Sequence, residues 1–420
     1  MKKTGIIILA VFALIGFYTI GLRFSEGLQT THLNAVFWGE WVAFYIYCIG
    51  LSAGSFLMST LIYVFGMHQF EKMGRLALLS AFVALLSGLT FVWIDLGHPW
   101  RFYKMFTHWN HTSVLAWESM FYIFYTFIIL AELYMLMRHD LATLRENSIG
   151  RKKSIYKFFS LGWRIPSTEE GQAQAKKDSM KWVKILGVIG LPVAIGVHGG
   201  TGALFAVVAA KPYWFSGLFP IIFLVSALVS GCGLMLLLYS MLGDKDEDYI
   251  PMLKGIRGFL VLFIGIDILL FISDMLVGSY GAIPEHTAIW HRIMFGNYWY
   301  VFWIGQIFMA WLLPMLICSL RSIKDKANWM ALAGLFTVIG IVNVRFNLVI
   351  PAYTEPQLPG LDIAFSGHPR LSYDYFPNFV EWFSSFGIFA FMILVFLALW
   401  TLLPVNESIS RGMEKSSLAH

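Results

Sequence analysis

Charge is scarce in this sequence: Asp, Glu, Lys and Arg make up 13% of its 420 residues, about half their share in ordinary soluble domains. Apolar residues fill the gap, at 58%. A soluble fold of this length cannot enclose so much apolar side chain, because a large surface must still be covered. A soluble globule, a disordered chain and a nucleic-acid binder are thereby excluded. The remaining class is an integral membrane protein whose main neighbour is the lipid bilayer.

Cysteine and histidine are scarce where they would matter. The three cysteines, Cys48, Cys232 and Cys318, are far apart and each lies in an apolar stretch. That spacing supports neither a disulfide framework nor an iron–sulfur or zinc site, so they read as small buried apolar residues. Of 11 histidines, His198 alone lies well inside an apolar run, whereas a membrane b-type cytochrome needs paired axial histidines within helices. No nucleotide fingerprint or phosphate loop is present. His198-Gly199-Gly200-Thr201-Gly202 lies mid-membrane, where its glycines serve close helix contact or an unwound turn beside a ligand. The chain is thus expected to carry no haem, no iron–sulfur cluster and no metal of its own.

Long apolar runs are what the sequence has. A span needs about 20 residues to cross about 30 Å of hydrocarbon, and ten runs qualify: 5–22, 41–66, 76–94, 115–137, 182–209, 218–241, 258–277, 299–320, 329–347 and 379–403. The first follows Met1-Lys2-Lys3 with no cleavage site and reads as an uncleaved anchor. With both termini cytoplasmic, 22 cations fall in inner segments and seven in outer ones (Arg23, Arg101, Lys104, Lys211, Arg292, Arg345 and Arg370), as the positive-inside rule requires of a cytoplasmic-membrane protein. The inner connection 138–181 holds 10 cations and 5 acids. It reads as a solvated loop on anionic lipid or as a docking surface for a cytoplasmic partner. The outer connection 348–378, with Pro351, Pro356, Pro359, Pro369 and Pro377, is expected to be an ordered cap without regular structure.

A weak internal repeat sets the organisation. Spans three and seven both end in an Asp, Asp95 and Asp274. Spans two and six both carry small residues, Gly50, Ser52 and Gly54 in one and Ser230, Gly231 and Gly233 in the other. The expected fold is all-α, a single membrane domain over 1–420. Residues 1–40 form an anchor helix and outer loop, 41–209 a first four-helix bundle, 218–347 a second, and 379–403 a last helix.

Ionisable groups inside spans cost several kcal/mol unless paired or hydrated, so each is a functional candidate. Span four carries Glu118 and Glu132, span five His198, and span seven Asp267 and Asp274; Asp95, His98 and Arg101 follow span three. Helical phase puts Glu118, Tyr122, Tyr125, Ile129 and Glu132 on one face of span four. Asp267, Phe271 and Asp274 share a face of span seven, and Tyr45, Cys48, Ser52, Ser55 and Ser59 a face of span two. These stripes line a common interior or serve as hydrogen-bonding glue. Carboxylates and an imidazole in an apolar, aromatic cavity can take and release protons near neutral pH. That suits a lipid-soluble quinol, whose electrons then need a redox centre on another subunit. His108, His111, His286 and His291 read as solvated or partner-facing. Trp38, Trp100, Trp109, Trp290 and Trp299 read as an interfacial belt.

Asp95-Leu96-Gly97-His98-Pro99-Trp100-Arg101-Phe102 after an apolar span resembles the D-L-G-[RH]-P-x-R-F signature of the NrfD/PsrC family of polysulfide reductase membrane subunits. Supporting stretches are Trp41 to Phe56, Ser113 to Glu118, and His198 to Tyr213. The ten-span form is similar to members found with group-two uptake hydrogenases, the high-molecular-weight cytochrome complex and the DsrMKJOP complex, DsrP of the last above all. The resemblance implies a subunit without redox cofactors that binds menaquinone or ubiquinone near the outer face. Its partner there is an iron–sulfur (ferredoxin-like) or multihaem cytochrome c subunit, with cytoplasmic or other membrane subunits added in some complexes. It places Asp95, His98 and Arg101 on the signature and Glu118 on the span-four match. Many members have Arg where His98 stands, and Tyr122 is the candidate for a pocket tyrosine. The expected roles are Glu118 and His198 as proton-handling groups, and Asp95, His98, Arg101, Tyr122 and Asp274 around the quinone. Arg101 alternatively pairs with Asp95 to fix the turn. Asp267 and Glu132 extend a proton path toward the cytoplasm. The competing functions are a proton-coupled secondary transporter and a structural anchor for a respiratory complex.

Overall fold

In a computed structural model of the chain, the residues described are 3–405 apart from 33, 282, 357, 359, 365, 366, 369 and 370. The expectations for Pro359, Pro369, Arg370, the first two residues and the tail cations lie outside the described residues. Ten helices are long and apolar enough to cross a membrane. They are α1 (Lys3–Glu26), α2 (Glu40–Tyr63), α3 (Gly74–Asp95), α4 (Val114–Glu146), α5 (Glu169–Ala206), α6 (Phe219–Leu242), α7 (Tyr249–Tyr280), α8 (Val301–Ser319), α9 (Ala327–Val349) and α10 (Phe379–Leu402). Among the described residues there is no strand. The protein is an all-α, multi-pass membrane protein. In lipid, only segments that satisfy their own backbone hydrogen bonds can span, which is why every long apolar run became a helix.

Packing follows small residues. The helices α2, α3, α4 and α5 contact one another in a ring, and α6, α7, α8 and α9 in a second. Every residue of α2 except Leu61 is buried, so α2 is the central post, as expected of a helix apolar on all sides. It crosses α6 where Gly54 faces Gly231, so closely that a Cβ at Gly54 would overlap the Ala227 carbonyl. The first and last spans pair with each other, Gly16 against Gly387, and α10 also rests on α3. At the Glu132 end, Lys72 binds Asp246 and Asp248, both at 2.5 Å, and Arg257 binds Asp325 at 2.8 Å. These bonds hold the inter-helix turns in place.

Four local findings differ from the sequence reading. Arg23 and Arg345, counted there as outer-loop cations, lie inside α1 and α9 and are buried. Trp290 and His286, assigned to the interface and to solvent, are buried on the short helix Pro284–Phe295, against Tyr213. The first twelve residues of α8 are π-helical; Pro314, which lacks an amide and crowds the carbonyl four residues back, follows directly. The 348–378 connection contains two short helical turns, Pro351–Tyr353 and Leu361–Ala364. Tyr353 packs there on Trp38 and Trp214.

Candidate functional site

Two facing helices and a third build one polar cluster inside the first ring. Glu118 lies one turn into α4, whose start is capped by Ser113 accepting from the Ala116 amide. Its Oε1 accepts from Tyr122 on the next turn of α4 at 2.5 Å, from Tyr45 of α2 at 2.6 Å and from Thr201 of α5 at 2.5 Å. The two phenol oxygens are themselves 2.5 Å apart. All four residues are buried. Each hydroxyl has a single proton, so the two phenols cannot satisfy all three of these short contacts at once. Oε2 has no partner. The cluster thus offers one carboxylate oxygen held by three donors and one left open. That arrangement is suited to accepting a proton from a bound hydroxyl.

His198 stands one turn before Thr201 on α5, fully buried, with neither ring nitrogen in a well-formed hydrogen bond. Its ring leans on Phe223 of α6 at 5.5 Å, and the Arg345 guanidinium lies over the same ring at 5.1 Å. Gly50 of α2 closes the space between them: a Cβ there would stand 3.3 Å from His198 Cε1 and 3.5 Å from Arg345 Nη2. Arg345 donates to Ser226 at 3.0 Å and leaves Nε and Nη1 unpartnered. Among the described residues no carboxylate lies within ion-pair distance of it. The acid whose charge reaches it is Asp267 of α7, which accepts from Trp311 of α8 at 3.0 Å. The seam between the rings therefore holds an imidazole, a guanidinium and a carboxylate in apolar surroundings.

The remaining sequence candidates are dispersed. His98 and Arg101 are exposed in the turn after α3. The cation that faces Asp95 is Arg23 rather than Arg101; Arg23 also caps α3 by donating to the carbonyls of Ile94 at 2.9 Å and Leu96 at 2.7 Å. Asp274 is half-buried and bonded to Ser216, in the α5–α6 connection. Glu132, fully buried near the other end of α4, has no partner for either oxygen. The glycines after His198 do not unwind α5; Gly202 brings it against Phe219 and Pro220 at the start of α6.

Three residues at this centre escaped the sequence reading. Tyr45 lay in the serine stripe of span two, Thr201 within the glycine-rich stretch, and Arg345 at a span end. A second acidic pair was also missed: Glu40 and Glu381, both buried where α2 meets α10. There Glu381 accepts from Tyr375 at 2.5 Å and from the His32 and Asn378 amides at 3.0 Å. Among the described residues no group of three or more His, Cys, Asp and Glu side chains is arranged to hold a metal ion.

Helices, seam and carboxyl–phenol cluster define a polytopic membrane protein with one buried proton-handling centre in its first ring. The family model described as "Polysulphide reductase, NrfD" matches residues 28–357, and the chain belongs to the NrfD family. It is similar to the C subunit of a selenate reductase from Mesobacillus selenatarsenatis, 47% identical over 406 residues, covering 96% of this chain and 95% of that protein. It is also similar to the "Hdr-like menaquinol oxidoreductase integral membrane subunit" of Archaeoglobus fulgidus, at 27% identity over 95% of this chain and 93% of the relative. The "Menaquinone reductase, integral membrane subunit" of Nitratidesulfovibrio vulgaris is 23% identical over 93% and 88%.

Proposed function

We propose that this chain is the quinol- or quinone-reactive membrane subunit of a respiratory oxidoreductase complex. It exchanges electrons between menaquinone or ubiquinone and an iron–sulfur (ferredoxin-like) or cytochrome c subunit docked at the Asp95 end. The observation that carries this reading is the Glu118 carboxyl, buried, fixed through one oxygen by Tyr45, Tyr122 and Thr201, with the other oxygen open. Oxidising a quinol releases two protons and two electrons. Glu118 takes the proton of one ring hydroxyl, and His198, one helical turn before Thr201, is the nearest second base. The electrons leave for the partner's centre. The names of two relatives, a menaquinol oxidoreductase and a menaquinone reductase subunit, point to the same substrate class. The selenate reductase relative places such a subunit beside a terminal reductase.

The four helices α2 to α5 form the functional unit, and α6 to α9 buttress it from the far side of the seam. Asp95, His98 and Arg101 shape the mouth, and Tyr122 orients Glu118. Asp274 lies farther off, in the second ring. Glu132 and Asp267 are the buried acids through which protons would move toward the cytoplasm. Arg23 and Arg345 belong to the interior, so the cation balance still favours the end opposite Asp95 as cytoplasmic. That places the site near the outer face of the cytoplasmic membrane, with both termini inside.

The test is Glu118→Gln in the intact complex. Quinol-dependent reduction of the partner should fall by about two orders of magnitude, the contribution of a positioned proton acceptor. Subunit stoichiometry on purification should not change. Turnover equal to that of the unmodified complex would remove Glu118 from the chemistry.

A further inference from the structure

The connection between α4 and α5 takes no part in the site just described, and its geometry is specific. Helix α4 continues nine residues past Met137 to Glu146, and the short helix Arg151–Phe159 then runs back along it. Three bonds bring its end to a fixed level. Tyr134 Oη donates to the Ser160 carbonyl at 3.2 Å, Arg145 donates to the Trp163 carbonyl at 2.8 Å, and the Arg138 guanidinium covers the Trp163 ring at 5.1 Å. Tyr134 lies twenty residues beyond Val114, which is about 30 Å of helix, one hydrocarbon thickness. The turn after the short helix therefore sits at the membrane boundary. Arg138 also donates to Ser179 of α5 at 2.7 Å, fixing the same level on that helix.

At this level apolar and cationic side chains alternate outward. Phe158 and Leu161 are each 73% exposed, and Trp182 of α5 is 50% exposed. Leu161 is the one non-glycine residue with positive φ among those described, at 48°, followed by Gly162 at 74°. A left-handed leucine costs about 1 kcal/mol, here spent on turning an apolar side chain outward. Lys157, Arg164, Lys181 and Lys184 are exposed around it. The surface continues into the lipid faces of α4 (Phe124, Phe127, Leu130) and α5 (Ile185, Val188, Ile189), all exposed.

We propose that the turn from Lys157 to Arg164, together with Lys181 and Lys184 of α5, is a binding site for anionic phospholipid. Phe158 and Leu161 enter the acyl region while the four cations hold phosphate. Apolar residues at the boundary ringed by Lys and Arg are what an anionic headgroup with attached chains requires. A soluble protein partner would meet the connection farther out, toward its tip at Ile149. The site is independent of the quinol reading, since none of its residues touches the Glu118 cluster.

The experiment uses the full chain in phosphatidylcholine vesicles, with and without phosphatidylglycerol. Phe158→Cys and, separately, Ile149→Cys carry a bimane label; Cys48, Cys232 and Cys318 are buried and stay unlabelled. A lipid bearing a nitroxide near the headgroup should quench the label at 158 and spare the one at 149. Phosphatidylglycerol should increase quenching at 158 by about twofold or more. Combining Lys157→Gln, Arg164→Gln and Lys181→Gln should abolish that increase while leaving elution as a single folded species. Three outcomes would overturn the proposal. They are a label at 158 as unquenched as at 149, quenching indifferent to phosphatidylglycerol, and an increase that survives the triple substitution.

Discussion

At the scale of single residues, the costliest group in the fold is Arg345. It is fully buried, bonded only to Ser226 among the described residues, and balanced at a distance by Asp267. Removing one member of a buried pair leaves an uncompensated charge, at about 3 kcal/mol or more. Arg345→Met, which keeps the stem over Phe223, and Asp267→Asn should each lower the thermal midpoint. Arg345→Lys should be the milder change, and Arg345→Met combined with Asp267→Asn should recover part of the loss. A thiol-reactive dye reports the unfolding, since all three cysteines are buried until then. Strictly additive effects in the double variant would mean that the two groups do not interact. The carboxyl cluster was only half legible in the sequence. Glu118 and Tyr122 are four residues apart on one helix, so periodicity pairs them. Tyr45 lies 73 positions upstream of Glu118 and Thr201 83 downstream, and no local period links residues so far apart. Arg345 was misread for another reason: a cation near a span end looks like a loop cation until packing shows which way the helix faces.

At the scale of elements, the ten spans were legible almost to the residue because lipid forbids unpaired backbone. What periodicity could not convey was how much of each helix is covered. The serine face of α2 is undistinguished once its other faces prove equally buried, whereas the Glu118 face of α4 does mark the interior. The signature turn after α3 was found in sequence, but its Asp95 faces Arg23, contributed by a helix some 70 residues earlier. The short helix Pro284–Phe295 belongs to the same lesson. Its His286 packs against Tyr213, and Gly278 has no room for a Cβ beside it. Burial holds this imidazole below its ordinary value of 6.5. The folded form therefore favours the neutral ring, and the stability gained is complete above 6.5 and declines as pH falls below it. Amide exchange in Pro284–Phe295 should accelerate between about pH 7.5 and pH 5.5, beyond the intrinsic pH dependence of exchange. His286→Gln should remove the excess. Protection that tracks the intrinsic rate alone would show that His286 does not govern this helix.

At the scale of the whole molecule, the two rings meet along a seam of glycines. A Cβ on Gly54 would strike the α6 backbone at Ala227 and Gly231, which cannot rotate away. Gly54→Val should separate the rings and cost about 3 kcal/mol, read as loss of a monodisperse species on gel filtration. Gly265→Ala, at a position with open space around it, is the matched control. A Gly54 variant as well behaved as that control would mean that the crossing is not tight. The small residues of spans two and six suggested a repeat from sequence alone, and Gly54 and Gly231 are opposed in the fold. Their opposition could not be read from either segment alone, since each is equally suited to any close neighbour.

The pairing of α1 with α10 has a consequence for how the protein is made. The earliest helix to leave the ribosome has its main mate in the latest, with more than 350 residues of synthesis between them. For that interval α1 has only lipid and a narrow contact with α3 along its sides. Everything from α2 to α9 can settle meanwhile, so completion is a lateral docking of two terminal helices onto a finished body. A nascent chain stopped before residue 379 should therefore cross-link through Gly16→Cys to lipid rather than to protein.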